Sequence, residues 1–237
     1  METNTKLLVQ NLAIGYQSIL LNNLDWEVKK GEFWAIVGGN GSGKSTLIRT
    51  LLGLQKSIKG NIFWENEHIN SLKPIQISKK IAWVSTYLPD IDFLKVIDIL
   101  KMGRSIYTNL ADNLTEKDIK IIENTLEIMQ MQDKKNDFFN QLSDGQKQKV
   151  MLMRALIQDT NILILDEPTA HLDWKNRRFW FEWIANWIKN TKKTVIVATH
   201  EWDLVQQFCP NILLISKEKY LIDVPTSQKS IDFFEKC

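Results

Sequence analysis

Short apolar runs recur along the chain between glycine, asparagine and charged residues, and they predict the strands of a buried sheet. The predicted strands are Lys6–Val9, Trp26–Val28, Phe33–Val37, Gly60–Trp64, Ile162–Leu165 and Thr194–Ala198. We expect Asn22 and Asn23 to form the turn between the first two strands, because asparagine tolerates the backbone of tight turns.

Apolar residues three and four positions apart predict helices in the segments between these runs. The predicted helices are Thr46–Leu54, Phe93–Met102, Thr115–Met129 and Gly145–Gln158, with a further one before the last strand. Thr115 and Asp118 have the spacing of an N-terminal capping box. Trp180, Trp183 and Trp187 share one face of the last helix, a spacing typical of core packing.

This order of elements predicts an α/β protein with a single domain over residues 1–237. We assign residues 1–86 and 158–237 to an α/β core, including an N-terminal antiparallel β subdomain. Residues 87–157 read as an inserted helical subdomain, because helical patterns replace strands there.

Composition narrows the choice of partners. Thirty basic and 28 acidic residues give a net charge of +2, so no overall field favours nucleic acid, and we expect no nucleic-acid partner. Cys209 and Cys237 are too few for a disulfide framework, which indicates reduced thiols in the cytoplasm. No signal peptide is expected, and the apolar runs fall short of the roughly 20 residues of a spanning helix, so membrane association needs a partner.

A glycine-rich loop follows the predicted strand Phe33–Val37 and precedes a helix. Its sequence fits G-x-x-x-x-G-K-[S/T], in which backbone N–H groups and a helix N-terminus surround the phosphates of a nucleotide. Lys44 would carry positive charge to the phosphates, and Ser45 would bind Mg²⁺. The candidate nucleotide-binding residues are Gly38, Gly39, Asn40, Gly41, Ser42, Gly43, Lys44, Ser45 and Thr46.

Acidic and histidine residues follow two other predicted strands. Asp166 and Glu167 come at the carboxyl end of Ile162–Leu165, the edge where α/β sheets bind ligands. Asp166 is placed to bind Mg²⁺, and Glu167 to orient and deprotonate an attacking water. His200 follows the last strand, as a residue that reaches a terminal phosphate would. We therefore predict that Lys44, Glu167 and His200 are catalytic.

The stretch Leu142–Gln146, L-S-D-G-Q, resembles the signature motif of ABC-type ATPases. With the motifs above, the resemblance runs from Tyr16 to His200. It implies a P-loop NTPase core of the RecA-like type, binding ATP and Mg²⁺, that pairs head to tail as a homodimer. The signature residues of one copy would then face the terminal phosphate held by the other. A helix that begins just after Gly145 would favour that anion. The residues implied are Ser143, Gly145 and Gln146.

Three further positions take roles from the same resemblance. Tyr16 lies where the family places an aromatic ring against adenine, and Asp173 of A-H-L-D matches the aspartate that crosses the dimer interface. Thr86 departs from the family, which carries a metal-binding glutamine at this position. A threonine hydroxyl is shorter and would reach the metal only through water.

The segment Phe93–Asn109, together with A-H-L-D, resembles ATPases of iron–siderophore, haem and cobalamin importers. The resemblance implies an importer subunit that docks on a separate permease through the helical subdomain and the loop near Thr86. It would act at the inner face of the membrane, with an extracytoplasmic binding protein as an indirect partner. Two alternatives stay open: a soluble ABC ATPase that acts on ribosomes or DNA, and a cassette that mainly regulates a partner.

Overall fold

The computed structural model describes residues 4–108, 114–170, 172–216 and 219–234. Asn109, His171 and Cys237, which belong to the sequence predictions, lie outside them. The strands are β1 Thr5–Gly15, β2 Ile19–Lys29, β3 Phe33–Val37, β4 Lys59–Trp64, β5 Glu67–His68, β6 Ile81–Val84, β7 Ile162–Asp166, β8 Thr194–Thr199, β9 Asn211–Ser216 and β10 Lys219–Asp223. The helices are α1 Lys44–Leu51, α2 Pro74–Lys80, α3 Val96–Met102, α4 Glu116–Ile128, α5 Asp144–Ile157, α6 Trp174–Thr191, α7 Trp202–Phe208 and α8 Gln228–Phe234.

Among the described residues, a six-stranded sheet has the order β10-β9-β3-β8-β7-β6. The strands from β9 to β6 are parallel, and β10 pairs antiparallel with β9. Because parallel strands end at one edge, Val37, Val84, Asp166 and Thr199 bring the segments that follow them to the same side of the sheet. The predicted α/β class is confirmed.

A second sheet, of order β2-β1-β4-β5, is antiparallel. The predicted turn at Asn22 and Asn23 is wrong, because both residues lie inside β2 and the chain reverses between Gly15 and Ile19. Asn23 does adopt a left-handed backbone, with φ of 53°. This conformation coincides with a β-bulge or irregularity in the β1–β2 register, where the pair Leu12–Leu24 is followed by Ile14–Leu21.

Two clusters of buried side chains lie on opposite faces of the six-stranded sheet, since successive side chains of a strand point to opposite sides. Ala35 and Val37 of β3 belong to the cluster that includes α3, α4, α5 and α6. Trp34 and Ile36 belong to the cluster formed with β1, β2, β4 and α1. The parallel sheet is thus covered on both faces, as its continuous apolar strands require.

The helix boundaries follow from their caps. Thr115 and Asp118 form the predicted capping box of α4, in which Thr115 Oγ1 accepts from the Asp118 N–H and Asp118 Oδ2 accepts from the Thr115 N–H. Helix α5 begins at Asp144 and not after Gly145, because the Ser143 hydroxyl caps it. Helix α3 begins at Val96, later than predicted, since Phe93 has a φ of 65° that no right-handed helix accepts.

A buried ion pair joins the helices between β6 and β7. Arg104 follows α3, and its Nε donates to Asp118 Oδ1 over 2.7 Å. Its Nη1 donates to the carbonyl of Ile157, the last residue of α5, over 2.9 Å. Asp118 is only 5% exposed, so the pair replaces hydration that both groups lose. One guanidinium therefore fixes α3, α4 and α5 relative to one another.

The tryptophans of α6 are partly core residues, as the sequence indicated. Trp180 is buried, and Trp183 and Trp187 are half-buried. The rings of Trp183 and Trp187 stack with centroids 6.2 Å apart. No helix in the described ranges is both long and apolar enough to cross a lipid bilayer.

Candidate functional site

The glycine-rich loop connects β3 to α1 at the carboxyl edge of the sheet. Gly43, the N-cap of α1, has a φ of 104°, which only glycine adopts readily. A side chain at Gly38 would come within 2.5 Å of the Ile215 carbonyl, so glycine is required for the close approach to β9. The loop and the first turn of α1 therefore lie together at the concave surface described below, where backbone N–H groups of such a loop can bind phosphate.

Lys44 lies across this loop. Its side chain is buried, and Nζ donates to the carbonyl oxygens of Gly38, over 2.8 Å, and Gly39, over 3.2 Å. The same ammonium is 3.7 Å from Glu167 Oε1. A positive charge is therefore fixed between the loop and the acidic end of β7.

Asp166 and Ser45 bring two oxygen ligands together. Asp166 ends β7 and is buried, and Ser45 Oγ donates to its Oδ1 over 3.3 Å. Burial raises the pKa of the Asp166 carboxyl, although the Ser45 hydroxyl and the Lys44 charge lower it in part. Carboxylate and hydroxyl oxygens suit a hard divalent cation such as Mg²⁺. The donor set therefore fits the metal that the sequence predicts.

Thr86 follows the end of β6 and contacts β7, but through the main chain of Asp166 and not through its carboxylate. Its hydroxyl donates to the main-chain carbonyl of Asp166 over 3.0 Å. Thr86 is half-buried and lines the cleft described below.

Glu167 and His200 form a contact at the ends of the adjacent strands β7 and β8. His200 Nδ1 lies 2.9 Å from Glu167 Oε2. Glu167 has a left-handed backbone, φ 48°, held by a 2.9 Å hydrogen bond from its N–H to the Ala198 carbonyl. Burial raises the pKa of the Glu167 carboxyl, while His200 and Lys44 oppose that rise. Such a carboxyl is a stronger base than an exposed one.

A cleft of about 490 Å³ joins most of these residues. It is lined by Leu20, Asn40, Gly41, Ser42, Gly43, Lys44, Ser45, Thr46, Thr86 and Glu167. Ser42 Oγ is buried and has no hydrogen-bond partner in the described residues. A phosphate oxygen in the cleft would supply one, so this orphaned hydroxyl fits a bound polyphosphate.

Tyr16 lies in the β1–β2 turn, four residues before Leu20, which lines the cleft. Its side chain is 64% exposed. An exposed aromatic ring offers a flat surface on which a base can stack.

The predicted signature residues are not among those that line the cleft. Ser143 is exposed and caps α5: its Oγ accepts from the Gln146 N–H over 3.3 Å, and Gln146 Oε1 accepts from the Ser143 N–H over 3.0 Å. Gly145 lies in the first turn of α5 and is half-buried. The N-terminal turn of α5, which carries the positive end of the helix dipole, is therefore not part of the cleft in its own chain.

Asp173 also faces outward, as the N-cap of α6. Its Oδ1 accepts from the Asn176 N–H over 2.9 Å. The hydrogen bonds from Asn176 lower the pKa of the Asp173 carboxyl. The charged form is therefore favoured at an exposed position.

Sequence reasoning missed an ion pair behind His200. Arg177 Nη1 donates to Glu201 Oε1 over 2.6 Å, and Arg177 Nε donates to the Leu172 carbonyl over 2.7 Å. The only sequence signals were an acidic residue directly after His200 and an arginine in the first turn of α6. Neither signal indicates a pair 24 residues apart.

A phosphate loop, an acidic strand end and a carboxylate–imidazole pair at one edge of a parallel sheet define a nucleotide hydrolase of the P-loop class. Comparison with known proteins identifies the branch of that class. Residues 21–170 match the profile of the ABC transporter family, and the chain belongs to this family of ATP-binding ATPases.

Individual relatives cover nearly the whole chain. It is 34% identical over 224 residues to the "Probable iron chelatin transport ATP-binding protein" of Helicobacter pylori, covering 92% of this chain and 86% of the relative. It is 30% identical to a petrobactin import ATP-binding protein of Bacillus anthracis, covering 89% and 77%. An inward-facing ABC transporter provisionally classed as metal-chelate type superposes with a TM-score of 0.85 at 26% identity, covering 99% of this chain and 90% of that one. The predicted family and P-loop fold are confirmed.

Proposed function

We propose that this chain is the ATP-hydrolysing subunit of an importer for a metal chelate, with an iron–siderophore as the leading cargo. The observation that carries the proposal is the 34% identity to an iron chelatin transport protein over 92% of the chain. Haem and cobalamin are the other cargoes that the resemblance of Phe93–Asn109 implies.

In the proposed reaction, water attacks the terminal phosphorus of ATP, the bond from that phosphorus to the bridging oxygen breaks, and ADP and phosphate leave. Glu167 accepts the proton from that water, and its raised pKa suits the task. His200 holds the Glu167 carboxylate through the 2.9 Å contact. Lys44 offsets the negative charge of the phosphate oxygens. Mg²⁺ held by Ser45 and Asp166, with Thr86 reaching it through water, would neutralise further phosphate charge.

Two copies of the chain complete the site. Ser143, Gly145 and Gln146 lie outside their own cleft, and the N-terminal turn of α5 favours an anion. In a head-to-tail homodimer this turn would meet the phosphate held by Lys44 of the second copy. Asp173, exposed and charged, would lie at the interface beside it.

The permease would be a separate polypeptide. We assign its docking surface to the helical subdomain, residues 87–157, and to the loop around Thr86, because that loop connects the subdomain to the end of β6. The ATPase would then act at the inner face of the membrane, and the extracytoplasmic binding protein would contact only the permease.

Two measurements test the proposal. Phosphate release by the purified chain with Mg²⁺ should exceed that of Lys44→Ala; equal rates would favour a regulatory cassette. Cells that lack the gene should lose uptake of radiolabelled iron–siderophore and regain it with the wild-type gene but not with Lys44→Ala. Loss of haem or cobalamin uptake alone would reassign the cargo. Normal uptake of all three would reject the importer role.

A further inference from the structure

The ion pair of Glu201 and Arg177 lies next to the contact between His200 and Glu167. Glu201 Oε1 is 3.9 Å from His200 Nε2, on the opposite side of the ring from Glu167. This distance is too long for a hydrogen bond, so Glu201 acts on the ring through its charge. The imidazole of His200 is thus flanked by two carboxylates.

Glu201 is held from several directions. Its N–H donates to Thr199 Oγ1 over 3.1 Å, and its carbonyl accepts from the Val205 N–H as α7 begins. Its carboxylate accepts from Arg177 over 2.6 Å and is only 16% exposed. A partly buried, charge-assisted bond of this length holds a side chain far better than an exposed ion pair does.

Arg177 connects this carboxylate to a second segment. Its Nε donates to the carbonyl of Leu172, and Asp173 is the next residue. The guanidinium therefore bridges the end of β8 and the turn that caps α6. That turn carries the residue we assign to the dimer interface.

We propose that Glu201 and Arg177 are positioning residues for hydrolysis: they fix the His200 ring between the Glu201 and Glu167 carboxylates and link it to the Leu172–Asp173 turn. The inference rests on the proposed roles of Glu167 and His200. When a second copy binds and moves the Leu172–Asp173 turn, the displacement is transmitted to the His200 imidazole through the Arg177 guanidinium and the Glu201 carboxylate. Neither residue lines the phosphate cleft, so ATP binding does not depend on them.

Steady-state ATPase kinetics of purified variants test this inference. Glu201→Gln keeps the shape and an acceptor for Arg177 but removes the charge beside His200. We expect kcat to fall about tenfold while KM for ATP stays within about twofold, the pattern of a lost transition-state interaction. Arg177→Lys keeps the charge but loses the planar contact with the Leu172 carbonyl, and should also lower kcat at constant KM.

A charge swap separates positioning from stability. The double variant Arg177→Glu/Glu201→Arg can re-form the ion pair, but it places a cation beside His200. We expect its thermal midpoint to return to within about 3 °C of wild type, from a larger loss in Arg177→Glu alone, while kcat stays low. Asp159→Asn, which removes the ion pair of Asp159 and Lys193 at the amino ends of β7 and β8, is the matched control and should keep wild-type kcat.

Three outcomes are decisive. Wild-type kcat in both Glu201→Gln and Arg177→Lys overturns the inference, and so does full recovery of kcat in the charge swap. A loss confined to KM overturns it too, since it would place the pair in ATP binding. An inactive wild-type chain would instead reject the proposed hydrolysis.

Discussion

The Glu167 carboxylate and the His200 imidazole meet at 2.9 Å because their strands are neighbours in register. Asp166 pairs with Ala198 across β7 and β8, so the residues that follow emerge side by side at the carboxyl edge. Lys44 Nζ is 3.7 Å from the other oxygen of the same carboxylate. The Glu167 side chain therefore contacts both the Lys44 ammonium and the His200 imidazole.

Replacing Glu167 with glutamine should separate ATP binding from hydrolysis. The amide keeps the shape of the side chain but cannot accept the proton of water, so turnover should fall by about 100-fold or more. The phosphate loop is unchanged, and ATP should still bind. Phosphate release and size-exclusion chromatography with ATP would measure both effects. If Glu167→Gln dimerises no more strongly with ATP than wild type does, the head-to-tail arrangement is wrong.

Thr86 stands where the resemblance in sequence implies a metal-binding glutamine. In Thr86→Gln a longer amide can reach toward Ser45 and Asp166, and we expect the Mg²⁺ concentration for half-maximal turnover to fall by up to about tenfold. Thr86→Val is the control, because it removes only the hydrogen bond to the Asp166 carbonyl. Equal Mg²⁺ dependence in wild type and Thr86→Gln would show that the hydroxyl, or a water, already serves this purpose.

Tyr16 should contribute to ATP affinity through its ring alone. Stacking on a base is worth about 1–3 kcal/mol, so Tyr16→Ala should weaken ATP binding by roughly tenfold. Tyr16→Phe keeps the ring and should bind ATP as wild type does. Fluorescence titration with a labelled nucleotide measures this. Equal affinities for Tyr16→Ala and Tyr16→Phe would remove Tyr16 from the site.

The pair of Arg104 and Asp118 should be important for folding. Arg104→Ala leaves a buried carboxylate unpaired, and we expect the free energy of unfolding to fall by about 3 kcal/mol. Urea denaturation monitored by tryptophan fluorescence would show this. Lys134→Ala removes an exposed, solvent-screened ion pair with Asp137 and should lower the free energy of unfolding far less. Similar losses in the two variants would contradict the role given to burial.

The same pair predicts a pH dependence of stability. The Thr115 side chain, followed by the Thr115 N–H and Arg104, holds the pKa of Asp118 below its usual value. The unfolded chain therefore takes up this proton first as pH falls. The contribution is fully present above the unfolded pKa of about 3.9, and it is lost as pH falls through the folded one. Asp118→Asn should lose less stability than wild type between about pH 5 and pH 3; an equal loss would show that other carboxylates dominate.

Sequence patterns predicted those parts of the site that depend on local spacing. The phosphate loop between β3 and α1 and the acidic end of β7 are each encoded within a few residues, and so is the Thr115–Asp118 cap. The turn at Asn22 was wrong because the same backbone preference serves a bulge as well as a turn. Asparagine alone does not distinguish the two.

Contacts between distant segments were beyond the reach of sequence patterns. Arg104 follows α3 whereas Asp118 lies in α4, and Arg177 meets Glu201 only because α6 packs beside the end of β8. Charged residues at such positions look like ordinary surface residues in the sequence. Their burial and pairing depend on tertiary packing, and such packing leaves no periodic pattern in a single sequence.

The parallel sheet places the helices α3 to α5 and the antiparallel strands β1, β2 and β4 in separate cores on its two faces. The two cores are separated by the strands of the sheet, whose alternate residues, such as Ala35 and Ile36, point into one core or the other. If the permease docks on the helical subdomain as proposed, that face can change to suit the permease while the residues of the phosphate cleft stay the same.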